Sequence, residues 1–241
     1  MTKLALVTGG TRGIGAAIAT KLKADGYEVV STYIGHPESA EKFSNETGIK
    51  IYKFDVAYFE SCQKGVEQIE QDTGKSIDIL VNNAGITKDR FLHKMSADEW
   101  NAVINTNLNS VFNMTRNVIE KMRNNKFGRI INISSINGLK GQIGQANYSA
   151  AKAGLIGFSK AVAQENANKG VTVNVIAPGY VGTDMVKKID EKILQGIVSQ
   201  IPVGRLAEPS EIAALTSYLI SDQAGFITGA TFSINGGQYM Q

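Results

Sequence analysis

The sequence predicts an α/β protein built on a doubly wound parallel sheet of about seven strands, with helices on both faces. Three observations predict it. Short runs rich in β-branched residues alternate with longer amphipathic segments from one end of the chain to the other. A glycine-rich turn, TGGTRGIG, follows directly on the first of those runs and opens the first helical segment. The 241 residues contain no linker, repeat or low-complexity tract, so a single domain over 1–241 is the economical reading.

Taken in order, the expected strands are 4–8 (LALVT), 28–33 (EVVSTY), 49–54 (IKIYKF), 77–81 (IDILV), 128–134 (GRIINIS), 171–177 (VTVNVIA) and 231–234 (TFSI). Each is short and apolar or β-branched, as a strand buried beneath helices must be. Helices fill the gaps at 13–25, 38–46, 59–73, 98–124, 147–169 and 209–220. The segment 185–202 is amphipathic and interrupts the strand–helix rhythm, which suits either a lid or a plain packing pair of helices.

Composition narrows the function classes. A net charge of +3 with scattered basic residues argues against a nucleic-acid partner. Cys62 is the only cysteine, so an internal disulfide is impossible and a reducing compartment fits. It reads as a small core or surface residue. No apolar run approaches the length of a membrane span, and MTKLALVTGG reads as a first strand rather than a signal peptide. The expectation is a soluble cytoplasmic protein. His36 and His93 are too few and too far apart for a metal site, and none is expected.

The glycine turn carries the first chemistry. Gly9, Gly13 and Gly15 stand in a G-x-x-x-G-x-G spacing, and Thr11, Arg12 and Ile14 complete the cradle. Glycines let backbone approach a pyrophosphate, and the following helix offers free N–H groups and a positive dipole end. A tight connection between strand and helix has the same composition. An acidic residue about 20 positions after the glycines would hold the ribose hydroxyls of NAD. Here the region reads Ser31-Thr32-Tyr33-Ile34-Gly35-His36, with no carboxylate before Glu38. Arg12 is instead placed for a 2′-phosphate, which favours NADP(H), unless it is only a solvated charge.

A second set lies further along. Asp55-Val56 and Asn82-Asn83-Ala84-Gly85 follow the third and fourth strands, at carboxyl ends where open α/β sheets bind ligands, although turn chemistry uses the same residues. Asn107 is a polar residue among apolar helical neighbours, costly to bury unless it bonds something specific. Ser135 sits where the strand carrying Ile130, Ile131 and Ile133 ends, and Tyr148 and Lys152 lie one helical turn apart on one face. An ammonium beside a phenol favours the phenolate and fits it for proton transfer. A lone Tyr-x-x-x-Lys is also what a half-buried aromatic with a solvated lysine looks like.

The TGGTRGIG loop, NNAG, Asn107, Ser135, Tyr148-x-x-x-Lys152 and Pro178-Gly179 together resemble the short-chain dehydrogenase/reductase family over nearly the whole chain. Within it, NISSINGLKGQIGQANYSAAKAGLIGF, PGYVGTDMV and the terminal NGGQYM are most similar to NADPH-dependent acetoacetyl-CoA reductases of polyhydroxybutyrate synthesis, and next to 3-oxoacyl-acyl-carrier-protein reductases of fatty-acid synthesis. The resemblance implies a Rossmann-type fold and reduction of a 3-oxoacyl thioester, with Tyr148 as proton donor, Ser135 bonding the same oxygen, and Lys152 lowering the Tyr148 pKa and binding the nicotinamide ribose. Asn107 would hold a water that resupplies the proton.

It further implies that Asp55 and Val56 flank the adenine, that Asn82, Ala84 and Gly85 lie at the adenosine ribose, and that Val181 and Thr183, after Pro178-Gly179, clasp the carboxamide. Gln142, Ile143, Gln145 and Tyr180 would meet the acyl group and thioester arm, the glutamines suiting pantetheine amides. Lys126 and Lys169 fall where carrier-protein reductases bear basic residues. The family is commonly tetrameric, and the small residues Ala150, Ala153 and Gly154 suggest subunit contact. A dinucleotide-binding regulator that kept the fold without turnover is the reading from a different class.

Overall fold

The computed structural model describes residues 2–183, 186 and 190–240. Its elements run β1 (Leu4–Val7), α1 (Gly13–Ala24), β2 (Glu28–Tyr33), α2 (Pro37–Thr47), β3 (Lys50–Lys53), α3 (Phe59–Thr73), β4 (Ile79–Asn82), α4 (Ala97–Ile104) and α5 (Ser110–Asn124). There follow β5 (Gly128–Ile133), α6 (Ile136–Lys140), α7 (Ala146–Asn166), β6 (Val171–Pro178), α8 (Glu191–Val198), α9 (Pro209–Ile220) and β7 (Thr231–Ile234).

The seven strands form one parallel sheet in the order β3-β2-β1-β4-β5-β6-β7. From β1 the chain winds outward to β3, returns past β1 to β4, and winds outward again to β7. The winding reverses between β1 and β4, and a crevice opens there beyond their carboxyl ends.

Strand alternation explains how one apolar run serves two layers. In β1, Ala5 and Val7 pack with Ile18 and Leu22 of α1 and Ile212 and Leu219 of α9. Leu4 and Leu6 face the other way, onto Cys62, Val66 and Ile69 of α3 and Met114 and Val118 of α5. Cys62 is thus a core residue, and burial pushes its thiol up to about 12, far from the reactive thiolate.

Two segments depart from the sequence expectation. The single helix expected over 98–124 is α4, then a π turn at Asn105–Asn109, then α5. Asn107 lies in that turn, where its Nδ2 donates to Val103 O at 3.0 Å and to Ile86 O at 2.8 Å while Oδ1 accepts from Ile86 N at 3.0 Å. Such side-chain bonds compete with the helical ladder and suit a local widening. Helix α6 was not expected; at five residues it is too short to show a period, and its start is marked only by Ser135, whose Oγ accepts from Asn137 N. Of the expected lid, Met185 and 187–189 lie outside the described residues. Its remainder contains α8, capped by Asp190, with no residue buried. Among the described residues no helix is long and apolar enough to cross a membrane.

Leu80 of β4 is fully buried against both neighbouring strands and α5. Leu80→Ala is expected to lower stability by about 2–5 kcal/mol, read as a lower denaturant midpoint at unchanged slope. A midpoint equal to the parent's contradicts this packing.

Candidate active site

The glycine turn after β1 and the NNAG segment after β4 meet at the point where the winding reverses. Thr8 ties them: its Oγ1 accepts from Asn83 N at 3.0 Å and Ala84 N at 3.1 Å. Asn83 Nδ2 in turn donates to Thr8 O and Gly9 O, at 3.0 and 3.1 Å. The cradle admits no side chains. A Cβ on Gly10 would lie 2.5 Å from Ser31 Oγ, and one on Gly15 would lie 2.4 Å from Gly9 O. Gly9 and Gly13 hold positive φ, at 59° and 54°. Helix α1 begins directly after this turn at Arg12, an exposed residue, and no side chain caps it. Its first N–H groups therefore suit a phosphate.

Thr183, from the segment after β6, reaches across to the same turn: a Cβ on Gly13 would stand 3.4 Å from its methyl group. Val181 is buried and pairs with Ala207, Thr183 N donates to Val181 O, and Gly179 N donates to Ile234 O. Pro178 closes β6. After β3, Asp55 Oδ1 accepts from Ala57 N, and the Val56 carbonyl accepts from Asn113 Nδ2. Both hold their turn in place.

Ser135, Tyr148 and Lys152 converge at the carboxyl end of β5. The Ser135 hydroxyl lies close enough to the Tyr148 side chain to favour its ionised form. Lys152 is 4% exposed, and its Nζ donates to Ile133 O at 2.8 Å and stands 5.6 Å from the centre of the Tyr148 ring. Gly85 makes room for Asn107, because a Cβ there would lie 2.4 Å from Asn107 Oδ1, while standing at ordinary contact, 3.6 Å, from Lys152 Nζ. Asn107 and Lys152 thus border the same point, beside NNAG.

The electrostatics correct one expectation. The Tyr148 pKa is raised rather than lowered: burial raises it, the Ser135 hydroxyl acts against that rise, and the charge of Asp89 adds to it. Lys152 bears the burial cost itself and is lowered to about 8. Tyr148 is therefore held as a neutral phenol, the form that gives a proton.

Other expected residues take different places. Asn82 turns its side chain inward, donating to Asn132 Oδ1 at 2.8 Å and Thr115 Oγ1 at 3.4 Å, while Asn132 Nδ2 donates to Ser159 Oγ at 2.8 Å. It braces the sheet against α7, and its neighbour Asn83, not among the expected site residues, locks the glycine turn. Gln142 and Ile143 are exposed between α6 and α7, and Tyr180 is half-buried and accepts from Ala207 N through its carbonyl. Both ends of the Gln145 amide are engaged, with Asn137 and Asp89. Asp89 and Asn137 carried no sequence signal, because their significance lies in which loops the fold brings together.

Comparison with known proteins gives a consistent result. The family model described as enoyl-(acyl carrier protein) reductase matches residues 9–238. The acetoacetyl-CoA reductase of Shinella zoogloeoides is 62% identical over 240 residues, 99% of each chain. That of Rhizobium meliloti (strain 1021) is 58% identical over 240 residues, again 99% of each chain. The 3-oxoacyl-(acyl-carrier-protein) reductase of Salmonella typhimurium is 48% identical over 243 residues, 99% of this chain and 98% of its own.

The buried ammonium has a measurable effect on stability. Between about pH 8 and its ordinary value of 10.5, the unfolded chain holds a proton on Lys152 that the folded chain has lost. The burial penalty is therefore full below pH 8 and relieved as pH rises through that window. Lys152→Met, similar in volume and uncharged, is expected to unfold at a denaturant midpoint no lower than the parent at pH 7. A clear drop contradicts a net cost of burying this charge.

Proposed function

The chain belongs to the short-chain dehydrogenase/reductase family, whose reductases bind nicotinamide dinucleotides, and we propose that it is an NADPH-dependent reductase converting acetoacetyl-CoA to the (R)-3-hydroxyacyl thioester. The observation that carries this reading is the Ser135–Tyr148 pair above the buried Lys152, at the edge of the crevice between β1 and β4. Two hydroxyls side by side suit one carbonyl oxygen, Ser135 donating a hydrogen bond and Tyr148 giving a proton as negative charge develops there.

The residues present fit the dinucleotide. The side-chain-free cradle at Gly9, Gly13 and Gly15, with Thr11 and Ile14, would take the pyrophosphate, and the exposed Arg12 the 2′-phosphate that distinguishes NADP. The turn after β2 carries no carboxylate to oppose that phosphate. Asp55 and Val56 would flank the adenine, Ala84 and Gly85 the ribose beside it, and Val181 and Thr183, beyond Pro178-Gly179, the carboxamide. When bound, NADPH supplies the hydride. Lys152 meets the nicotinamide ribose and stabilises the phenolate that Tyr148 becomes after giving up its proton. Asn107 has spent both amide hydrogens on Ile86 O and Val103 O, and its Oδ1 keeps one lone pair for a water beside Lys152.

Gln142, Ile143 and Tyr180 would meet the thioester arm. Residues 1–241 act as one reductase domain with the segment 185–202 as its lid, in a cytoplasmic homotetramer. The second reading, a 3-oxoacyl-acyl-carrier-protein reductase, is favoured by the relative of that name. Lys126 and Lys169 stand just before β5 and β6, at the opposite ends of the strands from Tyr148 of the same chain, which favours the CoA ester.

Tyr148→Phe is expected to lose about 10²–10⁴-fold in turnover, as for removal of a general acid, while NADPH still binds by fluorescence titration. A wild-type rate contradicts the assigned role. Reduction requires the Lys152 cation, so kcat/KM is expected to fall above about pH 8, and a flat profile to pH 10 removes Lys152 from the reaction. The deciding measurement is kcat/KM for acetoacetyl-CoA against acetoacetyl-carrier protein. Preference for the CoA ester supports the proposal, preference for the carrier-protein ester supports the second reading, and NADPH oxidation only with crotonyl-CoA points to the enoyl reduction by which the family model is described. NADPH binding with no turnover of any of these points to the regulator.

A further inference from the structure

Three loops that carry the reacting groups are tied at one side chain. Gln145 precedes α7 and sits three residues before Tyr148. Its Oε1 accepts from Asn137 Nδ2 at 2.9 Å, and its Nε2 donates to Asp89 Oδ2 at 2.9 Å. Asn137 lies in the first turn of α6, and its backbone N–H donates to Ser135 Oγ at 3.1 Å. Asp89 belongs to the segment that runs on from Gly85, which is fastened to the same place by Arg90 N donating to Gly144 O at 2.7 Å and Asn147 Nδ2 donating to Lys88 O at 3.1 Å. One amide therefore joins the turn that holds Ser135, the helix start that holds Tyr148 and the loop that follows the dinucleotide crevice.

The remaining contacts between α6 and α7 act further down. Ser134 Oγ donates to Lys152 O at 2.8 Å, and a Cβ on Gly138 would stand 2.7 Å from the Lys152 carbonyl carbon. These fix the two helices at the level of Lys152, one turn below Tyr148. At the level of Tyr148 itself, the Asn137–Gln145 bond is the side-chain bond that spans from one helix to the other. A glutamine with each end of its amide engaged by the protein is held in one rotamer, with one amide hydrogen and one lone pair spent on that restraint.

We propose that Gln145 is a positioning residue rather than a substrate contact: clasped between Asp89 and Asn137, it sets the separation of the Ser135 and Tyr148 hydroxyls. The inference rests on the reductase reading for its kinetic meaning, and on the hydrogen bonds alone for the clasp. Misplacing reacting groups by about 1 Å costs on the order of 10²-fold in rate, so loss of the clasp is a turnover defect and not an affinity defect.

The experiment compares Gln145→Ala, Gln145→Glu and the pair Gln145→Glu with Asp89→Asn, using NADPH and acetoacetyl-CoA. Gln145→Ala is expected to lower kcat by about 10–100-fold with KM within about threefold. Gln145→Glu keeps an acceptor for Asn137 but sets a carboxylate against Asp89, and kcat falls again. Adding Asp89→Asn restores the bond with its donor reversed, and kcat is expected to recover to within about fivefold of the parent. A raised KM with kcat intact, or a pair no better than Gln145→Glu alone, overturns the proposal. Thermal midpoints of the same set are read without substrate: recovery of the Gln145→Glu loss by Asp89→Asn supports the clasp, and its absence overturns it. Should the parent turn over no thioester, the reductase reading fails while these midpoints still decide the clasp.

Discussion

Burial of one ammonium group is the constraint on which the site depends. A lysine taken out of water must find a partner or lose its charge, and Lys152 meets this with the Ile133 carbonyl at the end of β5 and a pKa near 8. One glycine admits the helix that carries it, Gly138, where α6 crosses the helix backbone. The position of α7 is then no longer free, and Tyr148, one turn earlier, is aimed at the crevice by the same restraint. The phenol is kept neutral by its own burial, so the site stores its proton on the tyrosine and loosens the proton on the lysine beneath it.

A second polar feature carries this geometry into the sheet. Asn82, Asn132 and Ser159 form a chain of hydrogen bonds from β4 through β5 to α7, and Ser159 passes the last bond to Leu155 O at 2.6 Å. Each member is at most 5% exposed, so an unmatched partner would be expensive, and the chain tolerates only one rotation of α7 against the strands. An apolar layer of equal volume would stabilise the same packing without choosing that rotation. The crevice and the helix that carries the reacting groups are thereby set in one frame.

Much of this was legible in the sequence because it is written in local pattern. The strands carry two-faced burial in their own composition, and the glycine turn, Ser135 and the Tyr148–Lys152 spacing announce themselves at strand ends and on a helix face. What was hidden depends on contacts between segments far apart. Nothing around Asn82 says that its side chain turns inward while that of Asn83 locks the glycine turn. Asp89 looks like an ordinary loop residue until Gln145 is placed beside it. The raised pKa of Tyr148 also escaped, since spacing along a helix reports nearness but not how far each group is removed from water. Helix α6 was missed for a simpler reason, being shorter than two turns.

The π turn at Asn105–Asn109 allows one continuous run of residues to serve two neighbours that face different ways. An extra residue in a helical turn swings everything after it by about 100°. Before the turn α4 lies against α7, and after it α5 lies against α3 with Met114, Val118 and Met122 in the core. The length of this run is consequently fixed to the single residue. Removing one would restore an unbroken helix, roll the methionine and valine seam of α5 toward solvent, and withdraw Asn107 from the backbone of Ile86, so the irregularity is a gear between two packing surfaces.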